Sequence, residues 1–277
     1  MRIRWDWHIH SHHSPCGKPE ATLQRLARAV RDCGLQRWGL TDHLFTELNV
    51  PALEAARQEF DELDDKAGGV FAVEASVLRD WDLRRTRETA DIWGYHPGGP
   101  EDRLTIFLPE ELIARLGIAY VIAGAHWPLG AEMTPQSCVR SYHRQNMFLA
   151  AHPLVDIIAH PWWWRKYFNT PTEKLDFLWL EDFSIIPRSM HDEFAAAARE
   201  HGKLVEINAS NVLSEGYSAR WCEQYVEYLA GLKAAGCRFA TGSDSHAGDC
   251  QPRPQRMADV LARAGFREAD FWPGPNM

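Results

Sequence analysis

Apolar residues along this 277-residue chain fall into two alternating patterns. Short runs bounded by turn residues predict strands at 3–9, 36–41, 69–75, 119–125, 154–159, 203–209 and 237–242. Between them, apolar positions three and four apart predict helices at 20–33, 50–65, 109–116, 136–151, 188–201, 219–235 and 254–264. Leu23, Leu26, Ala27 and Val30 show that spacing in the first helix. End signals agree: Pro19 precedes this helix, Gly34 follows it, and Gly202 and Gly236 close two later ones. Strand–helix alternation of this kind predicts a parallel sheet or barrel, and seven strands predict a (β/α)7 barrel. The longest gap holds a polar, Gly- and Pro-rich insertion at 79–105, with Ile92-Trp93-Gly94-Tyr95-His96 inside it. With no internal repeat, low-complexity tract or linker, a single domain over 1–277 is expected.

Polar residues interrupt the apolar pattern at one recurring place, the C-terminal end of each strand. The first group is Asp6-Trp7-His8-Ile9-His10. Strand alternation predicts that His8 and His10 share one face and that Trp7 and Ile9 take the other. Thr41-Asp42-His43, Glu74, His126, His160, Glu206 and Asp244-Ser245-His246 follow. Positions 10, 43, 74, 126, 160, 206 and 244 are separated by 33, 31, 52, 34, 46 and 38 residues, roughly one βα unit each. A lone histidine at a strand end reads as a hydrogen-bonded rim residue. The joint pattern reads differently, because so many buried ionisable groups at one end of a barrel are costly without a cation. It predicts a polynuclear site for divalent ions, and hence an enzyme.

Composition narrows the substrate. A formal charge of −8 argues against a protein that grips long nucleic acids by their phosphates. Two or three dications would bring it to about −4 to −2 and leave the pocket positive, which suits a small anionic substrate. Six cysteines without C-x-x-C spacing fit reduced thiols better than a disulfide framework. No stretch approaches the ~20 apolar residues of a membrane span. Nothing at the start resembles a signal peptide, so a cytoplasmic location is expected.

The ordered set Asp6-Trp7-His8-Ile9-His10-Ser11, Gly39-Leu40-Thr41-Asp42-His43, Glu74, Gly124-Ala125-His126, Asp156-Ile157-Ile158-Ala159-His160-Pro161, Glu206-Ile207-Asn208 and Gly242-Ser243-Asp244-Ser245-His246 resembles the PHP (polymerase and histidinol phosphatase) family. Each motif alone is weak; the set in order, from position 6 to 246, is specific. The resemblance implies a distorted (β/α)7, TIM-barrel-like fold with two or three divalent ions (zinc, manganese or iron). It implies hydrolysis of a small metabolite's phosphate ester, a histidinol-phosphate-like monoester or a nucleotide, by hydroxide bridging two ions. Carried over, His8, His10, Glu74 and Asp244 hold one ion, Glu74 bridges to a second held by His126 and His160, and His43 and His246 serve a third. Asp244 and His246 are also the candidates for moving the leaving-group proton. Asp42 points away from His43 and reads as a supporting carboxylate.

One position departs from the family pattern. Members with a full third site carry another histidine shortly after the first H-x-H, and here Cys16 stands six residues past His10. Cys16 as thiolate, His12 or His13 by another loop path, and no third site at all stay open as readings. Glu206 and Asn208 read as a hydrogen-bonding pair at the barrel end, with Asn208, Ser210 and Asn211 as candidate substrate contacts. Pro161-Trp162-Trp163-Trp164-Arg165-Lys166 follows His160, where Arg165 suits phosphate oxygens and Lys166 adds a second cation. Trp127 and Lys18 are further candidates. Arg79, Arg84, Arg85 and Arg87, interleaved with Asp80, Asp82 and Glu88, read as a solvated face. The alternative class is an amidohydrolase-type hydrolase or decarboxylase, which also starts with H-x-H and ends with a strand-borne aspartate. The T-D-H and S-D-S-H elements fit it poorly. A non-catalytic module would show degraded ligands, whereas eight of the nine family positions are filled here. The expected partner is a small phosphorylated substrate, with no membrane and no long nucleic acid.

Overall fold

The computed structural model describes residues 1–163, 182–213, 218–249 and 253–275. The chain runs β1 (Trp5–Ile9), α1 (Leu23–Asp32), β2 (Arg37–Leu40), β3 (His43–Leu44), α2 (Val50–Glu62), β4 (Gly69–Phe71), β5 (Val73–Ser76), β6 (Leu78–Arg79), α3 (Asp80–Thr89) and β7 (Leu104–Thr105). It continues through α4 (Glu110–Leu116), β8 (Val121–Gly124), α5 (Pro135–Ala151), β9 (Ile157–Ile158), α6 (Arg188–Glu200), β10 (Leu204–Asn208), α7 (Ala209–Val212), α8 (Ala219–Ala234), β11 (Arg238–Gly242) and α9 (Arg253–Arg263). Each predicted strand and helix has its counterpart. α1 buries the Leu23, Leu26, Ala27 and Val30 stripe, and the Thr22 side chain caps it by accepting from the Arg25 N–H.

The strands form a three-stranded parallel sheet, β1-β2-β4, and a six-stranded parallel sheet, β11-β10-β9-β8-β5-β3. β2 passes into β3, and β4 into β5, across breaks of two residues and one. β1 meets the segment after β11: Asp244 N donates to His8 O at 2.8 Å, and His10 N donates to Ser245 O at 2.9 Å. All seven C-terminal strand ends therefore bring their side chains toward one region. A large apolar cluster joins strands to helices, and a smaller one gathers Trp7, Tyr120, Ile122 and Ile157.

Two expectations need correction. Trp7 belongs to the smaller cluster and Ile9 to the larger, so they do not share a face. The β1–β2 register shifts between Asp6 and Ile9, and such a bulge breaks the two-residue period. The charges opening the insertion are also not all on a solvated face. The insertion contains α3 and an antiparallel pair, β6 with β7, and Arg79 at its base is fully buried. Its guanidinium donates to Asp82 through two atoms and to the carbonyls of His96, Gly98 and Pro100, so Arg79 and Asp82 are not part of a solvated face. No disulfide links the described cysteines, and no helix among the described residues is long and apolar enough to cross a membrane.

Candidate metal centre

β1 delivers His8 and, one residue past its end, His10; β5 delivers Glu74, and the segment after β11 delivers Asp244. His8 Nε2 and His10 Nε2 are 3.0 Å apart. They lie 3.1 and 3.3 Å from Glu74 Oε2, and 3.6 and 3.3 Å from Asp244 Oδ1. Ligands of a tetrahedral ion at about 2.0–2.1 Å stand roughly 3.3 Å from one another, and the two imidazole nitrogens have about that spacing to each other and to each carboxylate oxygen. The other oxygen, Glu74 Oε1, is 3.1 Å from both His126 Nε2 and His160 Nε2. Cys16, His10, His43 and His246 bring one donor atom each within 4.8 Å of one another. His12 and His13 turn elsewhere, to Glu59 at 3.5 and 2.7 Å.

The donor set fits cations on two further observations. Glu74 Oε2, His43 Nδ1 and His160 Nδ1 are buried without a hydrogen-bond partner among the described residues, although His43 Nδ1 is only 2.8 Å from Glu74 Oε2. Unpartnered buried polar atoms cost free energy unless something fills the space between them. Second, the far ring nitrogens are tied in the way ligand imidazoles are. His8 Nδ1 donates to Glu206 Oε1 at 2.7 Å, and His246 Nδ1 donates to Asp244 O at 2.7 Å. His126 Nδ1 lies 2.9 Å from Ser76 Oγ, whose own proton goes to Val77 O. In each ring Nε2 then faces inward, where the neutral imidazole would present its lone pair to a cation.

Charge is concentrated here. Burial alone would raise Glu74, but His8, His43 and His126 outweigh it and hold the carboxyl well below its ordinary range. Asp244 is likewise held low, because His8 and His246 outweigh burial. Burial would lower His8, yet Glu74, Glu206 and Asp244 raise it well above the usual imidazole value. His43 is pushed well down by burial, and His246 falls to about 4 through burial and the neighbouring His10. Burial pushes the Cys16 thiol up.

Behind these residues lies a layer that the sequence disclosed only in part. Glu206 holds His8 with one oxygen and accepts the His160 N–H with the other at 2.7 Å. Asn208, expected at the substrate, is fully buried and donates to Glu206 Oε1 and Asp244 Oδ2 at 3.4 and 3.3 Å. Its oxygen accepts the Ser210 N–H, so both ends of the Asn208 amide are engaged within the chain. Ser210 is spent in that contact, and Asn211 is fully buried. Asp42 accepts from the Ser11 N–H at 2.7 Å and the Ser11 hydroxyl at 2.6 Å, which fixes the loop leaving His10. Two glycines make room. A Cβ on Gly124 would stand 2.7 Å from His160 Cε1, and one on Gly242 would stand 2.1 Å from Glu206 Oε1. His160 and Asp244 themselves have positive φ, 27° and 54°, a strain tolerated where side chains must be aimed. The Gly-Ala-His and Gly-Ser-Asp sequences carried the signal for both glycines.

A cavity of about 350 Å³ opens beside His43 and His126 and is walled by Phe45, Trp93, Tyr95, Trp127 and Trp163, with Asp91 at its edge. Tyr95 stacks on Trp127 at 5.1 Å and 5°, so the insertion supplies one wall. Trp162 is fully buried and lies parallel to His143, which makes it packing. Lys18 is exposed, and its backbone N–H donates to His246 O at 2.9 Å. Arg165, Lys166 and Trp164 lie outside the described residues. A larger cavity, about 670 Å³, lies against α6 and α8 and is lined by none of the candidate ligands.

No family model matches the chain. A protein of Acetivibrio thermocellus named "Probable phosphatase" is 25% identical over 238 residues, 86% of this chain and 78% of that protein. Another of that description, from a Thermoanaerobacter species, is 24% identical over 274 residues, 97% of this chain and 89% of the relative. Among solved structures, the histidinol phosphate phosphatase of Lactococcus lactis, in complex with zinc, L-histidinol and phosphate, superimposes with a TM-score of 0.63 at 19% identity. The match covers 95% of this chain and 94% of that one. The shared architecture is an α/β fold with parallel sheets.

Proposed function

We propose that this metal-dependent phosphatase hydrolyses the phosphate ester of a small metabolite, a histidinol-phosphate-like monoester or a nucleotide, in a distorted (β/α)7 barrel of the PHP type. The observation that carries this reading is Glu74, fully buried, with its two oxygens facing different sets of imidazole nitrogens. His8, His10, Asp244 and Glu74 Oε2 would hold one ion, and His126, His160 and Glu74 Oε1 a second, of zinc, manganese or iron. Such ions, when bound, supply positive charge toward phosphoryl oxygens and acidify water to near neutrality. The chain's own groups do the rest. Glu206 and Ser76 fix the ring tautomers of His8 and His126. Asn208 holds Asp244 Oδ2, and Asp244 and His246 are the groups we assign to move the leaving-group proton. The aromatic cavity beside His43 and His126 accommodates the leaving group and keeps bulk water from it. Barrel closure is supported by the bridge between Ile9, at the end of β1, and Ser245, three residues past β11.

The relatives' names and the zinc, L-histidinol and phosphate of the Lactococcus lactis neighbour support phosphate esters over the amides of an amidohydrolase-type reaction. The test is a panel of histidinol phosphate, nucleoside monophosphates, bis-p-nitrophenyl phosphate and an N-acyl amino acid, each with metal-loaded protein. Release of inorganic phosphate from a monoester is expected. Cleavage of the amide with no ester hydrolysis would overturn the reading.

A further inference from the structure

We propose that Cys16 is a thiolate ligand of a third ion, shared with His43 and His246, and that the sulfur makes this position zinc-selective. The proposal rests on the metal-centre reading above. The sequence left three candidates for this place, and the loop geometry separates them. His12 and His13 face Glu59, whereas the Cys16 sulfur lies in one cluster with His10, His43 and His246. His10 Nε2 already faces His8, Glu74 and Asp244, which leaves one sulfur and two imidazoles.

The loop is built to hold the sulfur there. Ser14 N donates to Ser11 O at 3.1 Å and Gly17 N donates to Ser14 O at 2.9 Å, a double turn with Cys16 near its end. Lys18 N donates to His246 O at 2.9 Å and pins that turn to the segment carrying His246. A Cβ on Gly17 would meet Ser11 O at 1.8 Å, so only glycine allows this path directly after the cysteine. Ser14 Oγ accepts the His43 N–H and stands 3.3 Å from Cys16 Sγ, positioned to donate its proton to a thiolate. His246 keeps Nε2 unprotonated because Nδ1–H is spent on Asp244 O. One sulfur and two nitrogens leave a fourth position of a tetrahedral ion for a phosphoryl oxygen or water. A soft thiolate favours zinc, whereas an all-nitrogen and oxygen site admits manganese more readily.

Cobalt(II) reports a sulfur ligand directly. The full chain, stripped and reloaded with cobalt, is expected to bind about three ions and to show a thiolate-to-cobalt charge-transfer band in the near ultraviolet. Cys16→Ser should lose the band and about one ion while keeping the other two, which also shows that the variant is folded. Cys16→His should regain the ion without the band and shift its preference from zinc toward manganese. An unchanged ion count in Cys16→Ser, or a band that survives it, would overturn the proposal while leaving the two-ion reading standing. Less than one ion in the native chain would remove both.

Discussion

His8 donates its Nδ1 proton to Glu206 Oε1 at 2.7 Å, and its other nitrogen, Nε2, stands 3.1 Å from Glu74. One carboxylate thereby orients a ring for another. Glu206 also takes the His160 N–H, so it couples two of the groups around Glu74 from behind. Glu206→Gln retains size but removes the charge and one acceptor. It should weaken metal affinity by about 10- to 100-fold, the range for losing such a partner, as read by calorimetric titration with zinc. Unchanged affinity would assign Glu206 to structure alone.

Gly242 tests the same contact from the other side. Its missing Cβ is replaced by Glu206 Oε1 at 2.1 Å and His8 Cβ at 2.6 Å. Gly242→Ala should push the pair apart and reproduce the affinity loss of Glu206→Gln. Because both changes act on one interaction, the double variant should lose little more than either single one. Additive losses would show that Gly242 acts elsewhere.

Arg79 and Asp82, both fully buried, hold the insertion that carries Trp93 and Tyr95. Arg79→Met leaves the Asp82 carboxylate buried without its partner and should cost about 3–5 kcal/mol in denaturant unfolding. Adding Asp82→Leu should recover part of it. With the aromatic wall loosened, KM for the ester should rise more than kcat falls. A fall in kcat at constant KM would contradict the placement of the leaving group.

Protons compete for the same lone pairs. Burial alone would lower His10, but Asp244 and Glu74 outweigh it and raise the ring to about 8 in the metal-free chain. An ion needs the neutral ring, so below about pH 8 binding must expel a proton, and affinity falls about tenfold per proton and pH unit. The protonated ring meanwhile stabilises the metal-free fold. That contribution is full below the unfolded value of 6.5 and is lost as pH rises through about 8. Between these limits the Tm of the metal-free protein should fall with pH while that of the zinc-loaded protein rises. Parallel curves would contradict the assignment.

The strand ends were legible because seven apolar runs each stop at a histidine or carboxylate, and strand ends are where a barrel collects its chemistry. What escaped the sequence depends on paths through space. Trp7 leaves its expected face because the register slips within β1, which no two-residue pattern shows. Arg79 looked solvated beside so many acids, yet backbone carbonyls seventeen to twenty-one residues away complete its shell. Asn208 was legible as a hydrogen-bonding partner of Glu206, but its second bond, to Asp244, joins strands that no spacing relates. Cys16 stood at the family's spacing with the wrong residue type, and His12 and His13 had the right type at the wrong spacing. The turn ending at Gly17 and the Glu59 side chain tell them apart.

The central claim is that Glu74 bridges ions on which phosphate-ester hydrolysis depends. The most direct measurement is elemental analysis of the native and Glu74→Gln proteins after reconstitution, with p-nitrophenyl phosphate hydrolysis followed before and after chelation. The account predicts at least two ions in the native chain, hydrolysis that chelation abolishes and added zinc or manganese restores, and loss of both ions and activity in Glu74→Gln. Fewer than one ion in the native chain, or hydrolysis that survives chelation, would contradict it.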